Sequence, residues 1–147
     1  MVIVRREVDY ALRALAYLAS SGGQCAHSIG RIAVATGVSE SFLRKIAQAL
    51  VDARLVISVR GRAGGLRLAR APERIALLEV MRALDLVPVV NRCLVDAHSC
   101  NRGRRCAIRS QLGKVQAQLY RVLRARTLAD CLNERGRMRL KSKGGQV

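Results

Sequence analysis

Aromatic side chains are nearly missing from this chain of 147 residues, which has no tryptophan, one phenylalanine and three tyrosines. Proteins that grip single-stranded nucleic acid stack its bases on such rings, so that mode of binding has little to work with here. Acidic residues are scarce as well, 10 against 27 lysines and arginines, which leaves a net charge of +17. A surplus of that size calls for a polyanion, and with stacking surfaces absent a DNA duplex is the expected one. Long apolar runs are also lacking: none approaches the roughly 18 residues of a membrane span. The opening Met1-Val-Ile-Val-Arg-Arg6 has no apolar centre of a secretory signal. The expectation is a cytoplasmic protein with no membrane partner, since the basic tail has no apolar face to anchor it. Paired catalytic carboxylates, a Ser-His-Asp set and a phosphate loop are missing too, Gly61-Arg-Ala-Gly-Gly65 lacking the GK[ST] of a P-loop. An enzyme is therefore not expected, and His27 and His98 read as surface residues. What remains is a 50% hydrophobic chain, enough to exclude wholesale disorder and to build one ordinary domain with an appended arm.

Along that chain Val8, Ala11, Leu12, Leu15, Ala16, Leu18 and Ala19 recur at helical spacing and predict a first helix. Ser21-Gly22-Gly23 ends it. A second helix is predicted from Ser28, with Ile29, Ile32, Ala33 and Ala35 inward, and Thr36-Gly37-Val38 turns the chain. Ser39 then caps a third, in which Phe42, Leu43, Ile46 and Leu50 face in while Ser41, Arg44, Lys45 and Gln48 face out. Two short helices joined by a Gly-containing turn form a helix-turn-helix pattern. The runs Leu55–Arg60 and Leu66–Arg70 predict two strands of a hairpin wing around Gly61–Gly65. Pro72 opens a further helix, predicted from about Glu73 to Asp85.

From Val89 to Cys106 no periodicity survives, and a loop is expected. Beyond it Ile108, Leu112, Val115, Leu119 and Val122 alternate spacings of four and three, a heptad seam on a helix from Ala107 to about Ala125 that calls for a partner helix. Thr127 can cap a last short helix from Leu128 to about Asn133. The expected fold is mainly α with a small β-hairpin: a winged helix-turn-helix domain plus a long dimerisation helix. Its divisions are a DNA-binding domain over 1–85, a cysteine-rich loop over 86–106, dimerisation and C-terminal helices over 107–134, and a basic, disordered tail over 135–147.

In such an arrangement the second helix of the pair enters the major groove and the wing reaches a neighbouring groove or phosphates. Arg44 and Lys45 can donate to guanine O6 and N7, Gln48 can pair with adenine, and Ser39 and Ser41 can reach phosphate or base edges. Arg60, Arg62 and Arg67 suit phosphates and the minor groove, and Gly64 lets the wing approach closely. The competing reading of these charges is a solvated helix face.

Five cysteines are an odd number, and in a reducing compartment a cluster of them serves as metal ligands or redox groups more often than as disulfides. Cys93, Cys100 and Cys106 have six and then five residues between them, unlike the paired CxxC spacing of structural zinc. An iron-sulfur cluster among arginines and a plain loop of reactive thiols both fit this spacing. A cluster would still lack one ligand, for which His98, Cys25, Cys131 and a carboxylate such as Asp9 are candidates.

The stretches Val8-Asp-Tyr-Ala-Leu-Arg-Ala-Leu15, Val38-Ser-Glu-Ser-Phe-Leu-Arg-Lys-Ile46 and Val59-Arg-Gly-Arg-Ala-Gly-Gly-Leu66, the three-cysteine loop and Thr127-Leu-Ala-Asp130 together resemble a family of bacterial winged-helix regulators. That family includes the iron-sulfur assembly regulator IscR, the nitric oxide sensor NsrR and the rhizobial iron regulator RirA. The resemblance implies a homodimeric repressor, paired through the long helix, that binds an imperfect palindrome. It also implies one 2Fe-2S or 4Fe-4S cluster per subunit, sensing nitric oxide, oxidants or iron. The IscR-like branch takes its fourth ligand from a His three residues beyond the third cysteine, where this chain has Arg109. The NsrR-like branch uses an acidic residue of helix one from the other subunit, a place that Asp9 occupies. The rival readings are a cluster-free disulfide switch and, from another class, an iron-sulfur carrier or redox protein.

Overall fold

Each of the first three helices begins where a local signal asks for it. In the computed structural model, which describes residues 4–22, 24–102 and 105–133, α1 (Arg6–Ser20) carries Glu7 and Asp9 in its first turn. Carboxylates are favoured at that positive end of the helix dipole. The Ser28 hydroxyl accepts from the Arg31 N–H to cap α2 (Ile29–Thr36), and Gly37, at φ 71°, supplies the left-handed residue that ends it. Ser39 caps α3 (Glu40–Asp52) in the same way, accepting from the Phe42 N–H. All three bury the faces that their apolar spacing defines, among them Leu15, Leu18, Ile32, Leu43, Ile46 and Leu50.

The wing is an antiparallel pair, β1 (Val56–Val59) and β2 (Gly65–Leu68), with Val56 opposite Leu68 and Val59 opposite Gly65. Its inner side places Val56, Leu66 and Leu68 in the core. Two glycines answer to the protein's own backbone. A Cβ on Gly64 would run into the Val59 carbonyl, and one on Gly65, at φ 145°, into the carbonyl of His27. The strap between α1 and α2 crosses there, and His27 and Leu66 exchange N–H···O bonds of 2.9 and 2.8 Å. The close approach that these glycines permit is thus in the first place to the chain itself.

The helix predicted from about Glu73 to Asp85 is broken. Pro72–Arg74 form one 3-10 turn and α4 spans only Leu77–Ala83. Ile75, at φ −113° and ψ 100°, and Ala76, at φ −77° and ψ 146°, are extended between them. The cause lies far along the chain: Leu77 donates to the Arg126 carbonyl (2.9 Å) and Leu128 to the Ile75 carbonyl (2.8 Å), a short bridge that a helix would forbid. Glu79 reaches back to the Ala76 N–H (2.9 Å) and restarts the helix.

The long helix α5 (Ala107–Ala125) and the short α6 (Leu128–Asn133) have the predicted bounds. The start of α6 is secured by the Asp130 carboxylate, which accepts from the Thr127 N–H at 2.8 Å and from its hydroxyl at 3.3 Å. Leu128 is fully buried with Leu15, Leu18 and Ile75, so α6 rejoins the core laid down by the first half of the chain. Each such fully buried aliphatic side chain contributes roughly 1.5–3 kcal/mol. No helix among the described residues is long and apolar enough to cross a membrane. The basic tail over 135–147 lies outside the described residues.

Candidate nucleic-acid interface and cysteine loop

The inward turn of Leu43, Ile46 and Leu50 leaves Ser39, Ser41, Arg44, Lys45 and Gln48 exposed together on the outer face of α3. The helix is braced from below by Tyr10 of α1, whose ring meets Phe42 edge-on at 5.2 Å. The readers are not bare. Arg44 Nη2 donates to Glu40 Oε2 at 3.0 Å, Gln48 Nε2 to Asp52 Oδ1 at 2.7 Å, and the Ser39 and Ser41 hydroxyls lie 3.3 Å apart. Sequence reasoning passed over Glu40 and Asp52, although each stands four residues from its partner, the spacing at which helical side chains meet.

In the wing, Arg60 and Arg62 are exposed at the loop and Arg67 is half-buried on β2. A groove whose lining includes Arg44, Gln48 and Ser58 beside apolar Ile29, Val51 and Leu66 runs between α3 and the hairpin. Arg70, at the wing's base, donates to Glu79 of α4 at 3.0 Å and ties the hairpin to the body. His27, expected at the surface, is half-buried beneath the wing: its ring meets Tyr17 at 5.1 Å, and its Nε2 is shielded with no hydrogen-bond partner among the described residues. Loss of hydration, aided by the charge of Arg31, holds its pKa below the ordinary histidine value.

The cysteine loop folds on side-chain bonds of its own. Asn91 Oδ1 accepts from the Cys93 N–H at 3.2 Å and Asp96 Oδ1 from the His98 N–H at 3.0 Å, shaping 3-10 turns at Arg92–Leu94 and Ala97–Ser99. Gln116 of α5 clamps the approach to the loop, accepting from the Val90 N–H (2.7 Å) and donating to the Pro88 carbonyl (3.0 Å). Cys93 and Cys106 are partly exposed, Cys100 is exposed, and all three are free thiols. Cys106 immediately precedes α5. No side-chain cap bond forms there, yet the Arg109 N–H, foremost among several influences, draws the Cys106 thiol below its ordinary pKa. Burial opposes that pull, while the Ile108 N–H and the charges of Arg102 and Arg109 add to it.

The chemistry of this donor set fits a cluster or a redox switch: three unpaired thiols in one arginine-rich loop. Within a single chain they are not gathered, for no group of three or more His, Cys, Asp or Glu able to hold a metal ion occurs among the described residues. Of the candidate fourth ligands, His98 is exposed beside Cys100, Cys25 is exposed on the strap after α1, and Cys131 is on α6. Asp9 is in the first turn of α1, its carboxylate accepting from Arg13 Nε at 3.0 Å. Along α5, Ile108, Val115 and Val122 are 63%, 50% and 56% exposed, and Leu112 and Leu119 are half-buried. Three of the five seam residues are thus open to solvent in the single chain.

A helix-turn-helix with an exposed polar reading face, followed by an arginine-bearing hairpin, defines a winged-helix transcription regulator, a DNA-binding protein and not an enzyme. The sequence profile of the Rrf2 family, described as iron-dependent transcriptional regulators, matches residues 4–134, and the chain belongs to that family. Its regulators bind DNA and act as dimers. The chain is 35% identical over 131 residues to protein aau3 of Rhizobium meliloti (strain 1021), covering 88% of this chain and 84% of that one. Its structure is similar to that of CymR (YrzC), the global cysteine regulator of B. subtilis, with a TM-score of 0.75 and 25% identity over 91% of this chain and 98% of that one. It is also similar to T. potens IscR, with a TM-score of 0.72 and 28% identity over 99% and 94%.

Proposed function

We propose that this regulator is a homodimeric repressor whose affinity for an imperfect palindromic operator is set by an iron-sulfur cluster held by Cys93, Cys100 and Cys106. The observation that carries the reading is the position of the three free thiols, in one loop that Gln116 bonds to α5 and that ends where α5 begins. The partly exposed seam of Ile108, Leu112, Val115, Leu119 and Val122 is the surface on which a second α5 would pack. A ligand from the partner subunit, for which Asp9 is the candidate, would complete the set. Asp9 is partly exposed and restrained only by an exposed pair with Arg13, a weak tie that a stronger partner displaces. When bound, the cluster supplies a link that nitric oxide, oxidants or iron loss can break.

In this reading Ser39, Ser41, Arg44, Lys45 and Gln48 face the bases, and Arg60, Arg62, Gly64 and Arg67 face the backbone and minor groove. The spacing of two such heads decides how well both half-sites are met. A coupling of about 1–3 kcal/mol between loop and heads is enough for a 5- to 150-fold change in affinity. The likeness to the cysteine regulator CymR favours a second reading: a cluster-free switch in which two loop thiols join as a disulfide.

Purification without oxygen, with iron, sulfide and thiols counted per chain, separates the two readings. A coloured protein with iron and sulfide in matching amounts supports the cluster; a colourless one with three titratable loop thiols supports the switch. For the cluster, Cys100→Ser is expected to abolish colour and bound iron with the far-ultraviolet circular dichroism unchanged. A normally coloured variant would remove Cys100 from the ligand set.

A further inference from the structure

The first residue of the reading helix is held from two sides. Glu40 Oε2 accepts from Arg44 Nη2 at 3.0 Å, one helical turn on. Its other oxygen, Oε1, lies against Gly30 of α2, so close that a Cβ there would come within 2.9 Å of it. Glu40 is thus an acidic side chain of the reading helix that passes close to the backbone of a second helix, while the Arg44 and Glu40 side chains remain 67% and 51% exposed toward solvent. With one N–H engaged by the carboxylate, the guanidinium keeps its other donors for a ligand, and the exposed pair biases its position without fixing it.

We propose that Glu40 is a specificity-determining residue for DNA, which positions Arg44 toward a guanine and itself accepts a hydrogen bond from the N4 amino group of a neighbouring cytosine. The proposal rests on the DNA-reading role of α3. In the major groove guanine offers two acceptors and thymine an acceptor and a methyl group, and phosphates surround both. A carboxylate brought among them is repelled and stripped of water unless it meets an amino group. Cytosine presents that donor without an adjoining acceptor, whereas adenine sets N7 beside its amino group. The same carboxylate competes with the phosphates for Arg44, and a phosphate contact serves every sequence equally. Glu40 therefore acts as much by rejecting wrong sites as by contacting the right one.

The test is selection from a pool of randomised duplexes by the full-length protein, its Glu40→Gln and Gly30→Ala variants, and Arg44→Ala. The wild type is expected to enrich a guanine with a cytosine beside it. Glu40→Gln should lose about tenfold of the cytosine preference and weaken the guanine. Its affinity for unselected duplex should rise, with the slope of log affinity against log salt steeper by about 1 as the released Arg44 neutralises a further phosphate. Gly30→Ala leaves every charge in place but displaces Oε1, the movable end of a flexible side chain. It should shift the preferences the same way by a smaller factor without lowering the melting temperature. Arg44→Ala should lose the guanine. If Glu40→Gln and Gly30→Ala both enrich the wild-type sequence unchanged, Glu40 is only a favourable charge at a helix start and the proposal is overturned. If the wild type enriches nothing, the reading of α3 fails and this proposal with it. Should Glu40→Gln not fold, Gly30→Ala decides alone.

Discussion

The helices α1 and α5 have much the same apolar rhythm and opposite fates. α1, of 15 residues, buries seven side chains beneath α2, α3, β2 and α6. α5, of 19 residues, buries none, and three aliphatic residues of its seam are half exposed or more. An apolar stripe states that a helix needs a partner; it does not say where the partner is. For α1 the partner is elsewhere in the chain, reached by short turns that cost little closure entropy. For α5 no described element buries Ile108, Val115 or Val122, although α4 and the Arg92–Leu94 turn touch the helix, which agrees with a family that acts as dimers. The head is therefore expected to hold its fold from its own core, and the α5 seam to hold the assembly.

Substitutions in the two regions should separate those roles. The largest effect is expected in the head: Leu15→Ala removes a fully buried side chain from its centre and should cost about 4 kcal/mol in chemical denaturation. A loss below about 1 kcal/mol would show that the head does not rely on that core. Val115→Asp in the middle of the seam should instead weaken self-association by about 3 kcal/mol, on the order of 100-fold, because a charge would be buried without a partner. Sedimentation should report monomers with an unaltered circular dichroism spectrum; dimers of wild-type strength would place the interface elsewhere. Arg44→Ala touches neither core nor seam. It should cost about 2 kcal/mol in binding to the selected operator and nothing in melting temperature or cluster content, and equal operator affinity would remove Arg44 from the readers.

The smallest effect concerns His27 at the base of the wing. Its folded pKa lies below that of the unfolded chain, so at mildly acid pH the unfolded state binds the proton more readily. Stability is full above the ordinary histidine pKa of about 6.5 and declines as pH falls through it toward the folded value. Denaturation midpoints measured from pH 7.5 to 5.5 should fall for the wild type and stay flatter for His27→Gln. Identical slopes for the two proteins would show that His27 is not the group responsible.

Much of the head was legible in the chain because its signals are local. Ser28 and Ser39 cap the helices that follow them, Gly37 turns the pair, and the outward set Ser41, Arg44, Lys45 and Gln48 follows from the inward set by the 3.6-residue period. The candidate site was legible in part. Its cations could be named, but the acids Glu40 and Asp52 that engage two of the readers were passed over, since charge pairs at helical spacing are easily taken for solvated ornament. His27 was misjudged because nothing in Cys25-Ala26-His27 reveals that a strand of the wing will lie across it.

Residue type and spacing were thus enough to place every long helix but α4, the wing, the basic reading face, the apolar seam of α5 and the stock of thiols. These depend on periodicity, on caps within three residues, and on the chemistry each side chain carries wherever it lies. Only the tertiary structure decided that Ile75 and Ala76 leave the helix to meet Arg126 and Leu128, that α6 closes the core begun by α1, and that Gly65 must make room for His27. It alone brought Gly30 of α2 close to Glu40 of α3. Each of these rests on a bond or a clash between residues distant in the chain, and a distant backbone leaves no periodic mark on the segment it will touch.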